Sequence, residues 1–87
     1  MLIIISTDGD VYTNPDSAEI VECPWDPSEK HFAVFNPCNP DGKIISEEIP
    51  EGMEDKAKRE LRTSIHFGMF QPNIVVDIKD VMHHLEA

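Results

Sequence analysis

Four carboxylates fall within residues 6–19, STDGDVYTNPDSAE, with no Lys or Arg among them. Carboxylates this dense can ligate a hard cation, sit in turns, or form a surface that a cationic partner reads. Asp8, Asp10 and Glu19 occupy positions 1, 3 and 12 of a calcium-loop spacing. The rest of that loop is wrong for the ion. Tyr12 stands at position 5, Thr13 stands at position 6 where Gly makes the sharp bend, and Pro15 stands at position 8. The flanking runs LIIIS and IVEC read as strands rather than helices. Two turns are expected instead, one tightened by Asp8-Gly9 and one opened by Asn14-Pro15-Asp16-Ser17.

Two cysteines and four histidines raise a second chemistry. Structural zinc sites bring their ligands as close pairs. Cys23 and Cys38 are fifteen residues apart, and His83 and His84 are adjacent. Adjacent helical residues point about 100° apart, which suits one ion poorly. No metal ligands are assigned, and both thiols are expected to be free. No nucleophile elbow, phosphate-binding loop, H-E-x-x-H or C-x-x-C is present, so no catalytic residue and no cofactor is assigned either.

Charge is the more informative property. The net charge is −10, and residues 1–29 hold seven acids and no Lys or Arg. The remaining residues hold ten acids and seven bases, of which Lys56, Lys58, Arg59 and Arg62 cluster. Such a balance opposes direct binding to nucleic acid or to an anionic membrane, because phosphate contacts need Lys and Arg. It favours steering toward positive partners. The expected partner surface is Asp8, Asp10, Asp16, Glu19, Glu22 and Asp26, with Trp25 in the loop CPWDPSE as an apolar anchor. The competing expectation for Trp25 is a lid packed over the edge of the core. Phe67 to Phe70, FGMF, pose the same choice between a core plug and an interface.

The elements that position these residues follow from turn signals and period. Short β-rich runs (LIII, VYT, EIVEC, HFAVF, KIIS) alternate with TDGD, TNPDS, CPWDPSE and NPCNPDGK, which predicts a meander of antiparallel strands. Met53, Ala57, Leu61 and Ile65 recur every four residues and predict a helix. Glu54 with Lys58 and Asp55 with Arg59 are spaced to pair along it, and Gly68 is a fair stop. After QPN and a short strand or turn at IVV, a second helix is predicted with Ile78, Val81, Met82 and Leu85 on one face and Asp77 as N-cap. No internal repeat is expected. The whole is one domain, residues 1–87, of the α+β class: a small antiparallel sheet of four to five short strands in the N-terminal half, packed by one or two C-terminal helices. The 87 residues bury roughly 60–65% of the unfolded surface.

In composition, though in no motif, the chain resembles small acidic inhibitors made by phages and other mobile elements. That likeness implies a non-enzymatic protein that binds a basic surface of a nucleic-acid-binding protein by mimicking nucleic acid. A small structural or regulatory subunit docking into a larger assembly is the alternative, and a metal-binding domain or metal-dependent enzyme is the third reading. LIIIS lacks the basic flank of a signal peptide, and no apolar run approaches the ~20 residues of a membrane helix. A cytoplasmic location is therefore expected, the host cytoplasm if phage-encoded.

Overall fold

The computed structural model describes residues 1–67 and 72–86. The α+β expectation holds, but among the described residues the strands number six and form two sheets of three. In the first, β1 (Leu2–Ile5) lies between β2 (Val11–Thr13) and β6 (Ile74–Asp77). β1 pairs antiparallel with β2 and parallel with β6, Ile4 standing opposite both Tyr12 and Val76. In the second, β3 (Ser17–Cys23), β4 (Asp26–Asn36) and β5 (Asn39–Ile44) form an antiparallel meander. The expected single antiparallel sheet is thus corrected. Parallel pairing needs a long crossover rather than a tight turn, so a β1–β6 partnership has no local signature. The N–H of Thr7 donates to the Ile45 carbonyl at 3.0 Å and ties the two sheets at one corner.

The turn between β1 and β2 is set by Ser6 and Gly9. Gly9 has φ +91°. The buried Ser6 donates its N–H to the Asp10 carbonyl at 2.8 Å, and its Oγ accepts the Asp10 N–H at 3.0 Å. At the second turn Asn14 takes φ +47°, an angle short polar residues tolerate. The acid-rich opening stretch is therefore turn, strand, turn and strand.

Both helices carry the faces read from period. In α1 (Glu54–Phe67) Ala57 and Leu61 are buried, and Met53 and Ile65 pack against them. In α2 (Ile78–Glu86) Ile78, Val81 and Leu85 are buried and Met82 packs alongside. Asp77 caps α2: its Oδ1 accepts the Lys79 N–H at 3.0 Å. Among the described residues, Glu54–Lys58 and Asp55–Arg59 do not close to ion pairs. Gly68, Met69 and Phe70 lie outside the described residues, and with them the helix stop and most of FGMF. One core joins all layers: Ile4 and Val76 from the first sheet, Phe32 and Val34 from β4, and the two helix faces. No described helix is long and apolar enough to cross a membrane.

Candidate functional site

β3 ends at Cys23 and β4 begins at Asp26, so Pro24 and Trp25 alone make the connection that was expected to be a longer loop. Glu22 stands opposite Lys30, and the next pair is Cys23 with Asp26. β3 advances one residue there while β4 moves four, leaving Pro27, Ser28 and Glu29 without ladder partners. Proline has no N–H to waste at such a place. Asp26 closes the stretch: its Oδ1 accepts the Ser28 hydroxyl at 2.6 Å and the Ser28 N–H at 3.1 Å. These two bonds, the hydroxyl first, hold the Asp26 carboxyl below its ordinary range.

The bulge gathers a cluster that spacing alone does not reveal. Val21 stands directly opposite His31, so both project from one face of the sheet. Cys23 lies two residues beyond Val21 and Glu29 two before His31, which strand alternation brings toward the same face. The Cys23 thiol, a Glu29 carboxylate oxygen and a His31 ring nitrogen lie within 4.8 Å of one another. Cys23 is 2% exposed.

His31 is oriented by the backbone. Its Nδ1 lies 3.0 Å from the Ser46 carbonyl oxygen. A carbonyl only accepts, so Nδ1 carries the hydrogen, and Nε2 of the neutral ring carries a bare lone pair. Ser46 is itself clamped to β4: its Oγ accepts the Phe32 N–H at 2.8 Å and donates to the Glu47 carbonyl at 2.9 Å. The next contact along, Ile49 N–H to the Lys30 carbonyl at 2.7 Å, holds the segment in place. His31 Nε2 is the one buried side-chain nitrogen or oxygen among the described residues that lacks a hydrogen-bond partner. The nearest Glu29 oxygen is 3.5 Å away, too far for a good bond.

The predicted acidic residues are exposed or nearly so but do not form one strand face. Asp8 and Asp10 sit at the β1–β2 turn, where the strand does not continue through them. Their charges add to burial, the larger cause, in raising the Tyr12 pKa. Asp16 leads into β3, its N–H bonded to the Phe35 carbonyl at 2.8 Å. The seven residues of β3 then separate Asp16 from the Trp25 turn by roughly 20–25 Å at ~3.3 Å per residue. Glu19 lines a groove of about 280 Å³ with Lys58 and Arg62, so helix bases offset its field. Glu22 is ion-paired with Lys30 at 2.7 Å. Trp25 is 81% exposed, which overturns the expectation of a lid packed over the core.

The thiols are both free, as expected, but differ in setting: Cys23 is buried and Cys38 lies exposed in the β4–β5 turn. Glu29 and His31 were not singled out from sequence. The signal was C-x5-E-x-H folded about a two-residue turn, which becomes a cluster only with the bulge in place. Set against protein-family models, curated proteins and solved structures, the chain matches none.

Proposed function

We propose that this is a non-enzymatic interaction protein that engages a basic surface on a protein partner, with Trp25 as the apolar anchor. The observation that carries the reading is Trp25 itself, 81% exposed on a turn only two residues long. An exposed indole on a short, strand-held turn loses little entropy on docking, and Trp is among the side chains that dominate binding energy. Asp26 beside it, Glu22 at the same end, and Asp8, Asp10, Asp16 and Glu19 elsewhere in the base-free first 29 residues supply a negative field. That field steers a cationic surface and sets association rate more than final affinity. In its sharpest form the partner's basic groove is one that otherwise holds nucleic acid, and the chain is a mimic of the kind phages and mobile elements encode.

The test uses a partner recovered with the protein as bait, followed by association and dissociation rates across ionic strength. Changing Asp8, Asp10, Glu19 and Glu22 to Asn or Gln should slow association, most at low salt. Trp25→Ala should speed dissociation. Neutralising Lys56, Lys58, Arg59 and Arg62 should weaken nothing. The reading fails if the acidic variant associates as fast as wild type while the helix variant does not.

One observation favours the alternative, a subunit docked into a larger assembly. Ile3, Ile5, Val11 and Val75 share the outer face of the first sheet by register, and Val11 and Val75 are 61% and 58% exposed. An apolar dock through that face would be insensitive to salt, which separates the two readings directly.

A further inference from the structure

We propose that Cys23, Glu29 and His31 form a binding site for a divalent transition metal ion of the zinc class. Thiolate sulfur, imidazole nitrogen and carboxylate oxygen are the donors zinc takes from proteins. The three donor atoms lie within 4.8 Å of one another. Around a tetrahedral ion with bonds of ~2.0–2.3 Å they would stand about 3.3–3.7 Å apart, so ordinary side-chain rotation closes the site. The ring is already set for it. A metal-bound histidine commonly donates its other N–H to a carbonyl or carboxylate, which fixes tautomer and orientation. Here Nδ1 meets the Ser46 carbonyl at 3.0 Å, and Nε2, 3.5 Å from a Glu29 carboxylate oxygen, has no hydrogen-bond partner. A buried nitrogen left so costs free energy that an ion would recover.

Two other chemistries fit these groups less well. A cysteine nucleophile needs one imidazole nitrogen on the thiol and the other on its orienting group, with the sulfur open to substrate. Here the sulfur is closed to substrate, Cys23 being 2% exposed. Calcium and magnesium prefer all-oxygen ligands, whereas thiolate with imidazole selects zinc and its cobalt surrogate. On binding, the Cys23 S–H bond breaks and its proton passes to solvent as the sulfur–metal bond forms. Glu29 and neutral His31 bind through lone pairs, so one proton leaves per ion. Three protein ligands leave a fourth position for water. None of this depends on the proposed interaction surface.

The experiment is titration of the reduced protein with cobalt(II), read by the thiolate-to-cobalt charge-transfer band in the near ultraviolet, and then displacement by zinc. Wild type and Cys38→Ser should show the band saturating at one ion per chain. Cys23→Ser should lose it. Glu29→Gln, at a half-exposed position that leaves the core alone, should weaken binding at least tenfold, as should His31→Gln. Because Cys23 is buried, circular dichroism checks its variant for fold, and Glu29→Gln carries the test independently. The proposal is overturned if wild type gives no charge-transfer band. It is also overturned if the band persists in Cys23→Ser but vanishes in Cys38→Ser, or if Glu29→Gln and His31→Gln both bind as tightly as wild type.

Discussion

Residues 23–30 read CPWDPSEK and residues 36–43 read NPCNPDGK. Set thirteen residues apart, these two segments make the hairpins at either end of β4 in closely similar ways. Each connection is two residues long, Pro24–Trp25 and Pro37–Cys38. Each is closed by a flanking pair, Cys23 with Asp26 and Asn36 with Asn39. Each is followed by an irregular stretch that begins with proline, Pro27 or Pro40. The two segments share two prolines and a lysine at matching positions, and together they frame β4. What differs is the cargo. Where the first hairpin has Cys23, Glu29 and His31, the second has Asn36, Gly42 and Ile44. The second needs none of the three to fold. Asn36 Oδ1 takes the Asn39 N–H at 2.8 Å, and Gly42 at φ +94° makes the bend beneath the Phe35 ring. The first hairpin thus carries a thiol, a carboxylate and an imidazole that the second does without, and the imidazole Nε2 has no hydrogen-bond partner. The proposed metal site rests on that difference.

The comparison can be broken first at the strand the hairpins share. Phe32, 1% exposed at the centre of β4, should cost about 3–5 kcal/mol when cut to Ala, measured by urea denaturation. A loss well under that range would mean β4 does not anchor both turns. Next comes Gly42→Ala. Its Cβ would lie 2.9 Å from Phe35 Cζ, and φ +94° is strained for any L side chain, so about 1–3 kcal/mol should be lost. The matching change in the first hairpin, Glu29→Ala, should cost under about 1 kcal/mol, since it carries no such backbone demand. Equal losses at the two positions would dissolve the contrast.

How much of this was legible follows the range of each interaction. The helix stripes, the Asp77 cap and the antiparallel run of β3, β4 and β5 came from local period and turn residues, and they stand. Turn lengths did not, because Pro27 and Pro40 read as loop. One falls where β4 has no ladder partners and the other on β5, an edge strand, and both are places a strand tolerates proline. The parallel partnership of Ile4 with Val76 joins residues with no sequence proximity. At the site, the carboxylates were visible as composition. The Glu22–Lys30 pair and the Cys23, Glu29 and His31 cluster needed the register of β3 on β4 and a bulge of three residues. The exposure of Trp25 was likewise a matter of where a two-residue turn points.

Smaller effects sharpen the picture. Trp25→Ala should change stability by no more than about 0.5 kcal/mol in thermal melts, as expected of a side chain 81% exposed. A larger loss would return Trp25 to a structural role. Smallest of all is Ser28→Ala, which removes the hydroxyl bond that lowers the Asp26 pKa. A carboxyl lowered in the folded state adds stability above its unfolded pKa, and that stability is lost as pH falls through the folded value. The variant should therefore titrate Asp26 nearer the ordinary carboxylate range by NMR and shed part of that acid dependence. An unchanged titration would place the cause elsewhere.

What the first hairpin offers beyond the second is a buried imidazole Nε2 without a hydrogen-bond partner, beside a thiol and a carboxylate. Nitrogen-15 NMR of the His31 ring, at a pH where the ring is neutral and before and after one equivalent of zinc, reads that lone pair directly. The ring should be the Nδ1–H tautomer bonded to Ser46, with Nε2 unprotonated, and zinc should move the Nε2 resonance while Nδ1 keeps its hydrogen. An Nε2–H tautomer, or a ring indifferent to zinc, would contradict the assignment of this end of the molecule as a binding site.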